Sequence, residues 1–112
     1  MSTITQKRLV GPARMSNTAN STIYTTPSST TTIIKQITIC NTHSGTVSVT
    51  LSLVPTGATA GDEHKVLSAI SLSAGETITL STSYVLVTGD TIKGSASTDA
   101  VVNIMLNGIT EV

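Results

Sequence analysis

The chain has 112 residues, the size of one domain, and six Lys or Arg balance six Asp or Glu for a formal net charge of zero. Charged residues make up 11% of it, against roughly 25% for an average soluble domain. The basic stripe that tracks a nucleic-acid backbone is missing. Two Tyr are the only aromatics. Ile, Val and Leu must therefore fill the core, and branched side chains favour sheet over helix. So little self-repulsion gives weak protection against association. Two readings follow: a surface made soluble by Ser and Thr, or a surface that sits against other subunits.

In chain order, Met1 to Pro12 alternates poorly, with Ile4, Gln6, Arg8 and Val10 against Thr5, Lys7 and Leu9. Ala13 to Asn20 is polar. Residues 1–20 are expected to be an N-terminal arm or tail, either frayed or ordered against a neighbouring subunit by strand addition. Lys7 and Arg8 are followed only by Leu9-Val10 and then Gly11-Pro12, which is neither a signal peptide nor a membrane span. Synthesis in a cytoplasm and no membrane partner are expected.

Residues 21–112 are the expected sandwich domain. Ser21 to Thr26 reads as a short strand ended by Pro27, and Ser28 to Thr32 as a turn or loop. The clearest stretch is Ile33 to Val54. Ile33–Cys40 and Thr46–Val54 read as two strands of a hairpin, joined by Asn41-Thr42-His43-Ser44-Gly45. In the second strand Val47, Val49, Leu51 and Leu53 face one way and Ser48, Thr50 and Ser52 the other, the period of a sheet with one packed face. Pro55 to His64 is the longest loop. Lys65 to Leu72 resumes the strand pattern, with Val66, Ser68, Ile70 and Leu72 on one side.

Ser73 to Glu76 is a turn with Gly75 at positive φ, and Thr77 to Leu80 is a strand with Ile78 and Leu80 inward. Ser81 to Val87 leads to a turn at Thr88 to Thr91. Ile92, Gly94 and Ala96 then face inward, the last two leaving room for close approach by another group. Thr98 to Ala100 turns the chain. The final strand, Val101 to Ile109, turns Val102, Ile104 and Leu106 inward, with a bend or bulge expected at Gly108. No segment has helical periodicity. The expected fold is all-β, a single-domain antiparallel β-sandwich, Ig-like or jelly-roll-like, with an N-terminal arm. A closed barrel fits less well, because medium-sized inward side chains imply no large cavity.

The chemistry-bearing residues are few. Asp62, Asp90, Asp99, Glu63, Glu76 and Glu111 lie mostly in turns, where carboxylates bond nearby amides. A paired-carboxylate hydrolase needs two in one cleft. Cys40, His43 and His64 with Asp62 and Glu63 sketch a zinc site only if a turn and a distant loop meet. Cys40 reads as a half-buried hydrophobe near a strand end, with no internal disulfide partner. No enzyme, cofactor or metal is expected. Lys7, Arg8 and Arg14 are the only basic cluster. Without a basic stripe or stacking aromatics a nucleic-acid groove is not expected. These charges are expected to pair with acidic residues on a protein partner, with contact to DNA inside a particle as the alternative. Ile23, Tyr24 and Tyr84 complete the expected partner-contact set. Tyr24 and Ile23 dock on the core in either reading of the arm, and Tyr84 sits in a strand as core or interface.

Several segments resemble small structural proteins of tailed bacteriophages. Ser21 to Pro27 and Ile33 to Asn41 resemble the Ile-Tyr-x-x-Pro … Ile … Ile-x-Ile-x-Asn opening of that group. Leu72 to Leu80, Val85 to Ile92 and Val101 to Ile109 match its later strands and turns. The resemblance implies a β-sandwich virion component that works by binding other virion proteins, capsid or tail subunits, often as a homo-oligomer. It implies capsid decoration or stabilisation first and a neck or tail component second, located in the virion after synthesis in the host cytoplasm. It does not cover residues 1–20 and carries over no catalytic residue. A surface or carbohydrate-binding module remains the alternative.

Overall fold

Branched residues in alternation give strands and little else. The computed structural model describes residues 3–112, with eight strands in chain order: β1 (Ile4–Arg14), β2 (Ser21–Thr25), β3 (Thr31–Asn41), β4 (Val47–Val54), β5 (Lys65–Leu72), β6 (Thr77–Leu86), β7 (Thr91–Ala96) and β8 (Val102–Glu111). A three-residue 3-10 turn, Asp62–His64, precedes β5.

β1 pairs with β8, β2 with β7, β3 with β6 and β4 with β5, all antiparallel. The chain is thus one long hairpin folded over on itself. Two further ladders, β3 with β8 and β4 with β7, close it into two four-stranded sheets. Their orders are β1-β8-β3-β6 and β2-β7-β4-β5. This nested pairing is the jelly roll, which decides between the two sandwich types that the sequence leaves open.

The core lies between the sheets and is aliphatic throughout. Ile34, Ile37 and Ile39 of β3 and Leu106 of β8 meet Val49 and Leu51 of β4, all at 1% exposure or less. Each such side chain contributes about 1.5–3 kcal/mol by leaving water. The alternation expected of β4 holds for Val47, Val49 and Leu51, which are fully buried, and then breaks. Ser52, expected to face outward, and Val54 are each 2% exposed, while Leu53 is only half-buried, where the register with β5 shifts between Leu51 and Ser52. Gly94 of β7 is buried beneath Leu51 and Ile23, whose Cδ atoms would crowd a β-carbon there. The expected close approach therefore occurs.

The structure corrects the sequence reading at four further places. β3 and β4 do not form a hairpin. The segment Asn41 to Gly45 is a corner that carries the chain from one sheet to the other. Buried Asn41 holds it, its side-chain amide facing the carbonyls of Gly45, Leu72 and Ser73 at 3.0–3.1 Å while its oxygen accepts from the His43 N–H. Second, β5 does not keep one phase. Ala69 takes φ of 49° and the register with β4 shifts beside it, so Leu67 and Ile70 rather than Ser68 pair with Leu51 and Val49.

Third, β8 runs straight through Gly108 to Glu111. The irregularities lie in its neighbours, at Lys35 of β3 and beside Leu9 of β1. A β-carbon at Gly108 would collide with the Ile33 carbonyl, so this glycine permits close strand approach rather than a bend.

Fourth, the segment expected as an arm supplies β1. Ile4–Arg14 pairs with β8 of its own chain, and Leu9, Val10 and Met15 pack against the core. Without it β8, which carries Ile104 and Leu106, would be an edge. Residues 1 and 2 lie outside the described residues. At the far end of this ladder Thr3 and Val112 exchange both backbone hydrogen bonds, at 2.9 and 3.0 Å.

Candidate interaction surface

A sandwich built this way has four edges, and their sequences differ. β1 carries Lys7, Arg8, Arg14 and Pro12 and shifts register twice against β8. β2 is five residues long and irregular at Ile23. β5 begins at Lys65 and shifts register beside Ala69. β6 is ten residues, Thr77 to Leu86, with no charge, no glycine and no proline. Charges, prolines and bulges are the usual guards of an edge, and β6 has only one irregularity, opposite Lys35. That point is held by Thr82 Oγ1 donating to the Ile34 carbonyl and Lys35 Nζ donating to Ser83 Oγ at 3.2 Å.

Exposure alternates without a break along β6 from Thr77 to Val85. Ile78, Leu80 and Tyr84 turn inward yet stay half-buried, because no strand covers them on the open side. Beyond its ladder with β3, no backbone hydrogen bond from Thr77 to Leu86 is made among the described residues. At the end of β6, Val85 and Val87 are 56% and 54% exposed. In register, Val85 lies beside Ile33, and Ile33 beside Ile109. These three form an apolar row across the outer face of the first sheet.

Charge is divided between the two halves. The strands of the first sheet carry Lys7, Arg8, Arg14 and Lys35 against Glu111, a net of +3. The rest of the chain carries Lys65 and Lys93 against Asp62, Glu63, Glu76, Asp90 and Asp99, a net of −3. Most acids have local tasks. Asp90 accepts from Thr56 and Val87 N–H groups, Glu76 from Ser73, and Asp99 from Asn17. Lys65 Nζ lies 2.9 Å from Asp62. The hydrogen bond and then the charge of Lys65 hold the Asp62 carboxyl below the usual carboxylate value, on a fully exposed group.

The expected contact residues do not form one site. Lys7 and Tyr24 share a groove of about 320 Å³ with Leu9, Pro27, Thr30 and Val112. Arg14 donates to Thr42 Oγ1 at 2.7 Å and so braces the corner. Arg8 is exposed on β1, in register with Asn107. Ile23 packs on the core. The Tyr24 hydroxyl bonds Thr32 Oγ1 at 2.9 Å, linking the two sheets. Tyr84 alone belongs to the open edge. The polar outward residues of β6 and the row Ile33–Ile109 were missed, although the absence of charge over 77–86 is visible in the sequence.

The chemistry-bearing side chains lie apart. Cys40 lies on the outer face of the first sheet beside Met105, His43 in the corner and His64 in the loop before β5. His64 Nδ1 accepts from the Gly61 N–H. Among the described residues, no three His, Cys, Asp or Glu side chains gather to hold a metal. No helix among them is long and apolar enough to cross a membrane.

Comparison with solved structures agrees with the topology. A viral particle of infectious bursal disease virus aligns over 98% of this chain and 30% of its own, with TM-score 0.54 and 10% identity. The Gx strain of that virus gives TM-score 0.52 at 11% identity over 98% of this chain and 32% of its own. A Bacillus endospore appendage, described as one of a family of disulfide-linked pili, gives TM-score 0.50 and 19% identity over 99% of this chain and 88% of its own. The chain thus spans about a third of the viral chains and most of the pilus chain. At these identities the shared property is the β-sandwich, and none of the three is a tailed-phage protein. No protein-family model matches the chain, and no curated protein matches it.

Proposed function

We propose that this chain is a non-catalytic structural subunit that binds other protein subunits in a multi-copy assembly. The assembly we assign is a virion of the tailed-phage type, with capsid decoration or stabilisation first and a neck or tail component next. The observation that carries the binding role is β6, a long, uncharged edge with a single irregularity, opposite Lys35, on a chain poor in charge. An edge of that kind is a hazard to a protein that lives alone and an asset to one that assembles. The virion assignment draws on the strand-and-turn resemblance over Leu72–Leu80, Val85–Ile92 and Val101–Ile109.

A fibre subunit is the second reading, favoured by the near full-length alignment with the pilus chain. Carbohydrate binding has less to stand on. Sugar platforms use exposed aromatic faces, whereas Tyr24 and Tyr84 are both half-buried against the core.

The test is the solution mass of the full chain by light scattering, followed by electron microscopy. A defined oligomer is expected. Closed rings or trimers support decoration or neck, and open filaments support the fibre. A monomer at every concentration overturns assembly among like copies.

A further inference from the structure

We infer that the partner of β6 is the β6 of a second copy, paired antiparallel about Ser81 so that two four-stranded sheets become one eight-stranded sheet. This rests on the reading of the chain as an assembling subunit and names the contact. Three features of the edges select it.

The first is length. β6 spans about 34 Å when extended, and β2 is half as many residues. The second is charge. A strand with none can meet its own copy without like-charge opposition, which cross-strand pairs penalise. β1 facing itself would set Lys7 and Arg8 against their own kind. The third is the order of the side chains. In an antiparallel pair, residues that face one another lie on the same side of the sheet. With Ser81 at the two-fold axis, Ile78 faces the partner's Tyr84 and Leu80 the partner's Thr82 on the inner side. On the outer side Thr77 faces the partner's Val85 and Thr79 the partner's Ser83.

Every apolar side chain that β6 leaves half-buried then gains cover. The pairing also places the two rows Val85–Ile33–Ile109 on one continuous outer face. It is isologous and closes at two copies. Larger assemblies need the remaining surfaces as well.

Two substitutions test this, both at exposed Ser81. In a Cys40→Ser background, Ser81→Cys sets two thiols at the axis, and mild oxidation gives a disulfide-linked dimer as the main species. Thr22→Cys on β2, in the same background, does not. Ser81→Lys sets two ammonium groups against each other and weakens the dimer by about tenfold or more in Kd, read by sedimentation. Its circular dichroism and monomer melting stay those of the parent.

An oligomer that ignores Ser81→Lys and gives no Ser81→Cys cross-link overturns the β6 pairing and leaves the assembly reading standing. A parent chain that is monomeric at every concentration overturns both.

Discussion

The first sheet has two edges, and they have been treated differently. β1 is bent, interrupted by register shifts and studded with Lys7, Arg8 and Arg14. β6 is almost regular and has no charge over ten residues. Both strands pack apolar side chains on the same core, so packing does not account for the contrast. The difference lies in what each edge shows to the outside. In the proposed pairing β1 refuses a further strand and β6 accepts one, so the sheet extends on one side only.

The largest effect comes from removing the refusing edge. A chain beginning at Ser21 loses β1, Leu9, Val10 and Met15, and leaves β8 with an open ladder. Loss of cooperative thermal unfolding, followed by circular dichroism, is the expected outcome. A truncated chain that melts as the full one does shows that β1 is dispensable to the fold.

Next come matched truncations under the two edges. Leu106 pairs with Val10 and Ile37 and is fully buried, so Leu106→Ala costs about 2–5 kcal/mol in denaturant unfolding. Leu80 is only half-buried at the open edge, and Leu80→Ala costs the isolated chain about 1 kcal/mol. In the associated form that second figure rises, because the partner strand covers Leu80. Equal costs in dilute and concentrated samples contradict the pairing.

Removing the guards tests β1 directly. Lys7→Ala with Arg8→Ala leaves stability within about 0.5 kcal/mol yet promotes concentration-dependent association, seen by light scattering. An unchanged mass shows that the bulges alone protect the edge.

The smallest effect lies away from both edges. The hydrogen bond and charge of Lys65 hold the Asp62 carboxyl below the usual carboxylate value. A depressed carboxylate stabilises the fold above its unfolded value, and that contribution fades as pH falls through the folded pKa. An NMR titration of Asp62 places its midpoint below that of an ordinary exposed Asp, and Lys65→Ala raises it toward the ordinary value. Association through β6 is indifferent to this titration.

Much of the fold is legible from local pattern. β8 alternates so cleanly that its buried face can be named from sequence, as can that of β4 as far as Leu51, beyond which buried Ser52 and Val54 break the period. Gly94 announces the close approach it permits. The losses have physical causes. Asn41 to Gly45 has the polar residues of a hairpin turn, and turn chemistry alone does not say whether the next strand returns to the same sheet. Only the buried side chain of Asn41, facing carbonyls some thirty residues ahead, makes it a corner.

β1 was hidden because the shifts beside Leu9 and around Gly11-Pro12 break its period, and its partner lies at the other end of the chain. Ala69 concealed the phase of β5 in the same way. The open edge was readable in principle as ten residues without a charge. Nothing in sequence said that this strand, rather than a central one, would be left outermost.

The two ends of the described chain lie side by side, clasped between Thr3 and Val112. A short linker would join them without disturbing either sheet, and new ends opened in the exposed loop around Gly57 would give a circular permutant of the same roll. A passenger fused at either end would leave from one corner of the block, away from the middle of β6. Each copy in a lattice would then carry its cargo at an equivalent address, so the spacing of cargo would report the spacing of the subunits.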